Sequence, residues 1–318
     1  MERILGSWGH VCETPTLGDL RAALARSEAP DYLVCDGGDG SLHWAVNTAI
    51  ELWGTDPGGL PVFVPTRGGT IDFVASKAGI AGAPDQVLSS LVRKLEQGAQ
   101  PRIATLDTLF IQGVPAFGAS SERFSRIGFA LAAGGIGERF FDEYYLGHQR
   151  GRRAIAKIVS RAVTSHLSEH AGLPLPENFR RYGRDLFRPT RARVFIDGRE
   201  LPMTEHRALH AGSIDVNFKG LFRVFPLAKR QGVLHFQAGS IPPRALLRAL
   251  PSLYMGMPIR ADGLMESAGS QMRVSALEGE LLNPVIDGER FQQLSELTVD
   301  PGPRIRVPRL NAPPHWVS

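Results

Sequence analysis

"DYLVCDGGDGSLHWAVN", residues 31–47, sets a short apolar run against a burst of glycine and aspartate, then resumes apolar residues at another period. Tyr32 to Cys35 reads as a strand of the buried type. Leu42, Ala45, Val46, Ala49, Ile50 and Trp53 recur at steps of three and four residues, the stripe of an amphipathic helix. Strand, glycine turn and helix thus follow one another. Pro61 to Pro65 gives a second short strand, and "TRGGTIDFVASKAGI" (66–80) repeats the glycine turn and leads into another helix. Asp85 is placed to cap a further helix that carries Val87, Leu88, Leu91, Val92 and Leu95 and stops at Gly98. Such alternation is α/β organisation with a mostly parallel sheet.

Past about residue 113 the pattern changes. "ARVFIDGREL" (192–201), "LFRVFPLA" (221–228), "GVLHFQAGSI" (232–241), "QMRVSALEGELL" (271–282) and "RIRVP" (304–308) are short apolar stretches between turn residues, as in antiparallel strands. The division expected is an α/β domain over 1–112 and a β-rich domain over 113–318, with the last 20 or so residues free to return to the first. One helix interrupts the second domain, with Ala154, Ile155, Ile158, Val159, Ala162 and Val163 on one face behind Arg150, Arg152 and Arg153. The proline- and arginine-rich segment 173–193 reads as a surface connection.

Composition bounds the function. The chain has 318 residues, 43% of them hydrophobic, enough for real cores. Its two cysteines, Cys12 and Cys35, give neither a disulfide framework nor a paired zinc spacing, which suits a reducing compartment and makes cytoplasm the expectation. No window reaches the roughly 18 apolar residues of a membrane span, and the amino terminus does not read as a signal peptide. A net charge of +4 favours anionic partners. Nucleic acid would account for the charge but for neither glycine turn, so none is expected.

Positions without side chains between a strand and a helix let backbone N–H groups approach an anion, and the helix dipole adds favourable charge. "DGGDGS" and "RGGT" both follow a strand, so in a parallel sheet both lie at the carboxyl edge where ligands bind. Neither has the Lys-Ser/Thr ending of the Walker loop or dinucleotide-fingerprint spacing. A surface turn rich in glycine and aspartate is the plainer reading of either alone.

Gly37-Gly38-Asp39-Gly40-Ser41 with Asn47, then Pro65 with Gly68-Gly69-Thr70, resembles the catalytic domain of the diacylglycerol kinase and sphingosine kinase superfamily, in its bacterial lipid kinase branch. Further matches run along most of the chain. "TPTLGDL" (14–20) is similar to the family's threonine strand end and would put Thr14 near the nucleotide; Asp107 in "ATLDTLFI" stands at the family's aspartate before the second domain. "FALAAGGIGERF" (129–140) and "VIDGERFQQLSELTVDPGPRIRVP" (285–308) resemble the segments that enter and close the family's β domain. The resemblance implies a Rossmann-like nucleotide-binding domain, a β-sandwich domain and a cleft between them. It also implies ATP and Mg2+ as cofactors, and a lipid hydroxyl as phosphate acceptor.

Phosphoryl transfer asks for positioning, charge neutralisation and a base. The backbone of Gly38, Asp39, Gly40 and Ser41 is expected to hold phosphates, with Thr70 and Thr14 as hydroxyl contacts. Asp39 would repel phosphate, so magnesium or a helix N-terminus is its better partner. The family's base falls on Asp287 or Glu289 in "IDGER", between which the letters do not choose; the plainer reading of Asp287-Gly288 is a hairpin turn, like "IDGRE" at 196–200. Four departures from the family stand out. There is no opening Asn-Pro-x-Ser-Gly loop, Trp44 replaces a frequent glutamate, and Asp72 replaces a frequent asparagine. Gln231-Gly232 stands where Asp-Gly supplies a structural magnesium site, and neutral glutamine is a much poorer ligand for a hard cation, which leaves that metal an open question. An NAD kinase-like enzyme and a nucleotide-binding regulator without transfer are the competing readings. His10, His43, His148 and His166 show no zinc spacing. Phe140, Phe141, Tyr144 and Tyr145 read as core packing before a lipid channel. Membrane contact, through arginines such as those between Arg180 and Arg193, would be peripheral at the inner face, and a homodimer is compatible with all of this.

Overall fold

The computed structural model describes all residues except 27, 57, 117–122, 148–150, 171–175, 218–222, 243–244, 246–247, 250, 253–254, 256, 292 and 312–318. His148 and Arg150 thus lie outside the described residues. The chain divides into two units, Met1–Thr108 with Gly302–Ser318, and Leu109–Pro301.

In the first unit α1 (Glu2–Leu5) and α2 (Leu17–Leu24) precede β1 (Tyr32–Cys35), α3 (Asp39–Trp53), β2 (Val62–Pro65), α4 (Phe73–Ala78), α5 (Pro84–Glu96) and β3 (Ile103–Leu106). A final strand, β19 (Ile305–Pro308), returns to complete a sheet of order β1-β2-β19-β3. β1, β2 and β19 run parallel, and β3 is antiparallel to β19. All four residues of β2 are buried, as expected of a parallel strand covered on both faces. α3 packs on β1 and β2 and buries Leu42, Ala45, Val46 and Ala49. "RIRVP" therefore belongs to this unit.

Two local readings need correction. No strand precedes Thr14; the stretch from Gly9 to Thr14 has no regular structure. α2 starts instead at a capping box, in which Thr16 Oγ1 accepts from Asp19 N at 3.2 Å and the Asp19 carboxylate accepts from Thr16 N at 3.1 Å. Asp85 is not a cap either. Pro84 occupies the first turn of α5, and Gln86 Oε1 accepts from Ala83 N at 2.9 Å.

The second unit holds β4 (Leu109–Pro115), β5 (Phe124–Gly128), β6 (Ala130–Gly135), α6 (Ile136–Leu146), α7 (Arg152–His170), α8 (Glu177–Leu186), β7 (Thr190–Ile196), β8 (Arg199–Glu200), β9 (Glu205–His206) and β10 (Ala208–Gly212). There follow β11 (Val216–Asn217), β12 (Arg223–Val224), β13 (Leu234–Gly239), β14 (Leu264–Gly269), β15 (Met272–Ala276), β16 (Val285–Ile286), β17 (Glu289–Arg290) and β18 (Leu294–Pro301). One antiparallel sheet runs β14-β13-β10-β6-β16-β17, the other β5-β4-β18-β15-β7-β8 with β9 beside β7. Alternate residues of both fill one core: Leu131 and Ala133, Leu209 and Ala211, Leu234, Phe236 and Ala238 from the first, Ala192, Val194 and Ile196, Met272 and Val274, Leu297 and Val299 from the second. This is a β-sandwich.

Among the described residues α6, α7 and α8 interrupt it, where the sequence pattern showed one helix. The segment expected to be a surface connection contains α8, whose Tyr182, Gly183 and Leu186 are buried while Arg180, Arg181 and Arg184 pair with Glu177 or Asp185 on the outside. Arginine density hid a narrow apolar stripe at helical spacing. Among the described residues no helix is long and apolar enough to cross a membrane. Cys12 is exposed and Cys35 buried, and both are free thiols; burial pushes the Cys35 thiol up to about 12.

The sandwich carries a pH dependence. His206 on β9 and His210 on β10 are both held below the ordinary 6.5 by burial, which their hydrogen bonds to Ala192 O and Gln237 oppose without overcoming. The unfolded chain therefore takes up protons where the folded one does not. Stability should be unaffected above neutral pH and fall as pH drops through about 6.5, by up to about 1.4 kcal/mol per pH unit for each histidine, until the folded histidines titrate too. Urea midpoints at pH 7.5 and 5.5 should drop more in the wild type than in a His206→Gln/His210→Gln variant.

Candidate functional site

The two glycine turns follow the ends of neighbouring parallel strands, and they touch. Gly68 N donates to Gly37 O at 3.0 Å, and Thr66 N to Cys35 O at 3.1 Å. A Cβ on Gly38 would lie 2.9 Å from Gly69 Cα, and one on Gly69 would lie 2.4 Å from Gly38 Cα. On Gly37 it would meet Ser41 Oγ at 2.2 Å. Much of the missing side chain is thus taken up by the opposite turn. What still faces outward is the start of α3. Gly38 is its N-cap, with no side-chain cap, and its helical bonding begins at Leu42 N to Gly38 O, 3.1 Å. The amides of Gly40 and Ser41 precede that bond and have no acceptor within the helix. An anion there meets N–H groups and the positive end of a 15-residue helix.

The aspartates around the turns have defined partners. Asp39 accepts from Phe73 N and Val74 N, at 3.2 Å each, and so caps α4 across the turn. The N-terminus of α4 is thus one partner of Asp39. Asp72 is buried, sits in the left-handed region (φ 55°, ψ 46°) and accepts from Gly69 N at 2.9 Å. Asparagine and aspartate both tolerate that conformation, which is why the exchange preserves the turn. Asp36 is exposed and accepts from Thr66 Oγ1 at 2.7 Å. Thr70 is half-buried between Gly69 and Asp72.

Other candidates are engaged elsewhere. Asn47 lies about 13 Å up the axis of α3 from Gly38, where Nδ2 donates to His43 O at 2.8 Å. Asp107 is ion-paired with Arg304 at 2.9 Å where β3 ends and β19 begins. Beside it Thr108 Oγ1 donates to Pro303 O at 2.6 Å. Among the described residues no group of three or more His, Cys, Asp or Glu is arranged to hold a metal. Magnesium carried in with phosphates needs only one or two carboxylates, which Asp36 fits. Gln231 lies exposed in a turn, and Asp215, buried in the same excursion, is neutralised by Arg223.

In the second unit, Asp287 and Gly288 join β16 to β17 with φ of 52° and 92°, a two-residue hairpin turn. The Asp287 side chain is buried, and Oδ1 accepts from Phe129 N and Ala130 N at 2.9 Å each. Asp197-Gly198 builds the same turn (48° and 78°), and Asp197 Oδ1 accepts from Ser270 N and Gln271 N at 2.9 Å. Turn chemistry is therefore common to both; burial separates them, since Asp197 is exposed. Glu289 is half-buried, and its carboxylate has no hydrogen-bond or ion-pair partner among the described residues.

Sequence reading missed one polar group. His210, Gln237 and Glu266 are paired across β10, β13 and β14 and linked in line, His210 Nδ1 to Gln237 Oε1 at 3.1 Å and Gln237 Nε2 to Glu266 Oε1 at 2.9 Å. His235 Nε2 lies 3.0 Å from Glu266 Oε1, and Glu266 Oε2 accepts from Ile259 N. The signal was the alternation of His235 and Gln237 with Leu234, Phe236 and Ala238.

No family model and no curated protein matches the chain. Solved structures do. A "putative diacylglycerol kinase" from Bacillus anthracis str. Sterne aligns with a TM-score of 0.57 at 11% identity, over 96% of this chain and 85% of its own. A diacylglycerol kinase structure from the same organism gives 0.56 at 11% over 97% and 86%. The chain carries the diacylglycerol kinase-like fold. In that fold's terms, the glycine turns belong to the α/β unit and the Asp287 hairpin to the sandwich.

Proposed function

We propose that the chain is an ATP- and Mg2+-dependent lipid kinase that transfers the γ-phosphate to a hydroxyl of diacylglycerol or a similar lipid alcohol. The supporting observation is the start of α3 beside two interlocked glycine turns at the carboxyl edge of parallel strands, in a chain of diacylglycerol kinase-like fold. The amides of Gly40 and Ser41 hold phosphate oxygens, and Thr70 adds a hydroxyl. Asp36 would hold magnesium, which when bound would supply positive charge against the phosphates. Asp287 or Glu289 takes the proton of the lipid hydroxyl as its oxygen bonds to the γ-phosphorus and ADP leaves. The lipid is met at the inner membrane face through peripheral contact.

A second reading, a nucleotide-binding regulator without transfer, draws on one observation: Asp39 and Asp72 already occupy the amides of Gly69, Phe73 and Val74. Incubation with radiolabelled ATP and magnesium separates the two. The panel is diacylglycerol, ceramide, sphingoid base, phosphatidylglycerol and NAD. A labelled lipid, lost by about a hundred-fold or more in Glu289→Gln or Asp287→Asn, is the expected result. Labelled NAD would make the protein an NAD kinase, and ATP binding without any transfer would favour the regulator.

A further inference from the structure

The hairpin β16–β17 closes the edge of its sheet and is held there by a helix. Glu138, Phe141, Asp142 and Tyr145 stand at i, i+3, i+4 and i+7 of α6, one face. Each meets the hairpin or its approach. Asn283 Nδ2 donates to Glu138 Oε1 at 3.2 Å, and Arg290 pairs with Asp142 at 2.5 Å. The Tyr145 hydroxyl donates to Gly288 O, and a Cβ on Gly288 would come within 4.0 Å of the Phe141 ring. The other side of α6, Phe140 and Tyr144, packs with Ala154, Ile155 and Ile158 of α7. α6 is thus fixed from behind.

Glu289 lies between the two pinned residues, Gly288 and Arg290. Among the described residues β17 has only β16 as a strand neighbour, and its register is two residue pairs, Val285↔Arg290 and Ile286↔Glu289. With no partner for its carboxylate among the described residues, Glu289 is aimed by its backbone, and α6 holds that backbone on either side. Asp287 has the amides of Phe129 and Ala130 in addition.

We propose that this face of α6 positions the acidic turn, with Tyr145 acting through Gly288 O and Asp142 through Arg290 as positioning residues for Glu289. The inference rests on the kinase reading for its consequence, though not for its geometry. Two measurements on the full chain test it. Amide hydrogen exchange at residues 287–290 should rise about five-fold in Tyr145→Phe and in Asp142→Ala, the scale of one lost hydrogen bond, while β6 keeps its protection. Phosphate transfer should lose roughly ten-fold or more in kcat in the same variants, with KM for ATP unchanged. In a Glu289→Gln background the Tyr145→Phe change should add nothing. The exchanged pair Asp142→Arg/Arg290→Asp should restore protection lost in Asp142→Ala. Unchanged exchange at 287–290 in both single variants overturns the proposal, whatever the activity. If the wild type labels no acceptor while exchange rises as expected, the kinase reading fails and the positioning stands. If Tyr145→Phe lowers kcat equally in the Glu289→Gln background, Tyr145 acts through something other than Glu289 and the proposal fails.

Discussion

Asp287→Ala is expected to lower stability by about 4 kcal/mol, whereas Asp287→Asn is expected to fold normally and, with Asp287 rather than Glu289 as the base, to lose phosphate transfer by roughly a hundred-fold or more. Alanine removes Oδ1, the acceptor that serves the amides of both Phe129 and Ala130, from a buried site. Each such loss destabilises by about 1–3 kcal/mol, and the left-handed φ of 52° adds about 1–2 for a residue with no local polar group. Asparagine keeps an Oδ1 acceptor and tolerates that conformation, so it removes the carboxylate's basicity and little else. Urea denaturation of both variants and lipid phosphorylation by Asp287→Asn separate the structural role from the chemical one. Full transfer by Asp287→Asn would leave Glu289 as the base. A wild-type midpoint in Asp287→Ala would mean that the two hydrogen bonds do not hold the hairpin.

The alternation of strand and helix was legible around residues 31–98 because each element there follows a single period. The sandwich was legible for the same reason, in alternations such as Leu234, Phe236 and Ala238. α8 was not, because its buried Tyr182 and Leu186 sit among arginines, and mean polarity outweighed spacing. At the site, glycine letters say that side chains are absent and not what takes their place. Here it is the other turn, a contact across about 30 residues of sequence that no local pattern contains. Asp39 was legible as a group seeking positive charge, yet whether metal or helix amides supply it depends on where α4 begins. Asp287 and Asp197 show the limit most plainly, since "IDG" folds into the same turn twice and only the surrounding sheet buries one of them.

Gly69→Ala is expected to destabilise the first unit by about 3 kcal/mol or more and to abolish nucleotide binding with it. The added Cβ would lie 2.4 Å from Gly38 Cα and 2.6 Å from Asp72 Oδ1. One is backbone, and the other is the acceptor that holds Gly69 N, so neither can yield without parting the turns or breaking that bond. Parting them moves Gly38, the N-cap of α3, and with it the amides proposed to hold phosphate. Gly18→Ala makes the comparison: on α2 its Cβ meets only Thr16 Oγ1 at 3.6 Å, and alanine there should be neutral or stabilise by up to about 1 kcal/mol. Denaturation midpoints without nucleotide, set beside calorimetric titration with ATP and magnesium, distinguish the two demands on these glycines. If Gly69→Ala keeps its midpoint and loses ATP, the space belongs to phosphate. If the midpoint falls with no nucleotide present, the turns need glycine for each other, and an anion site at α3 is a consequence of how closely they meet.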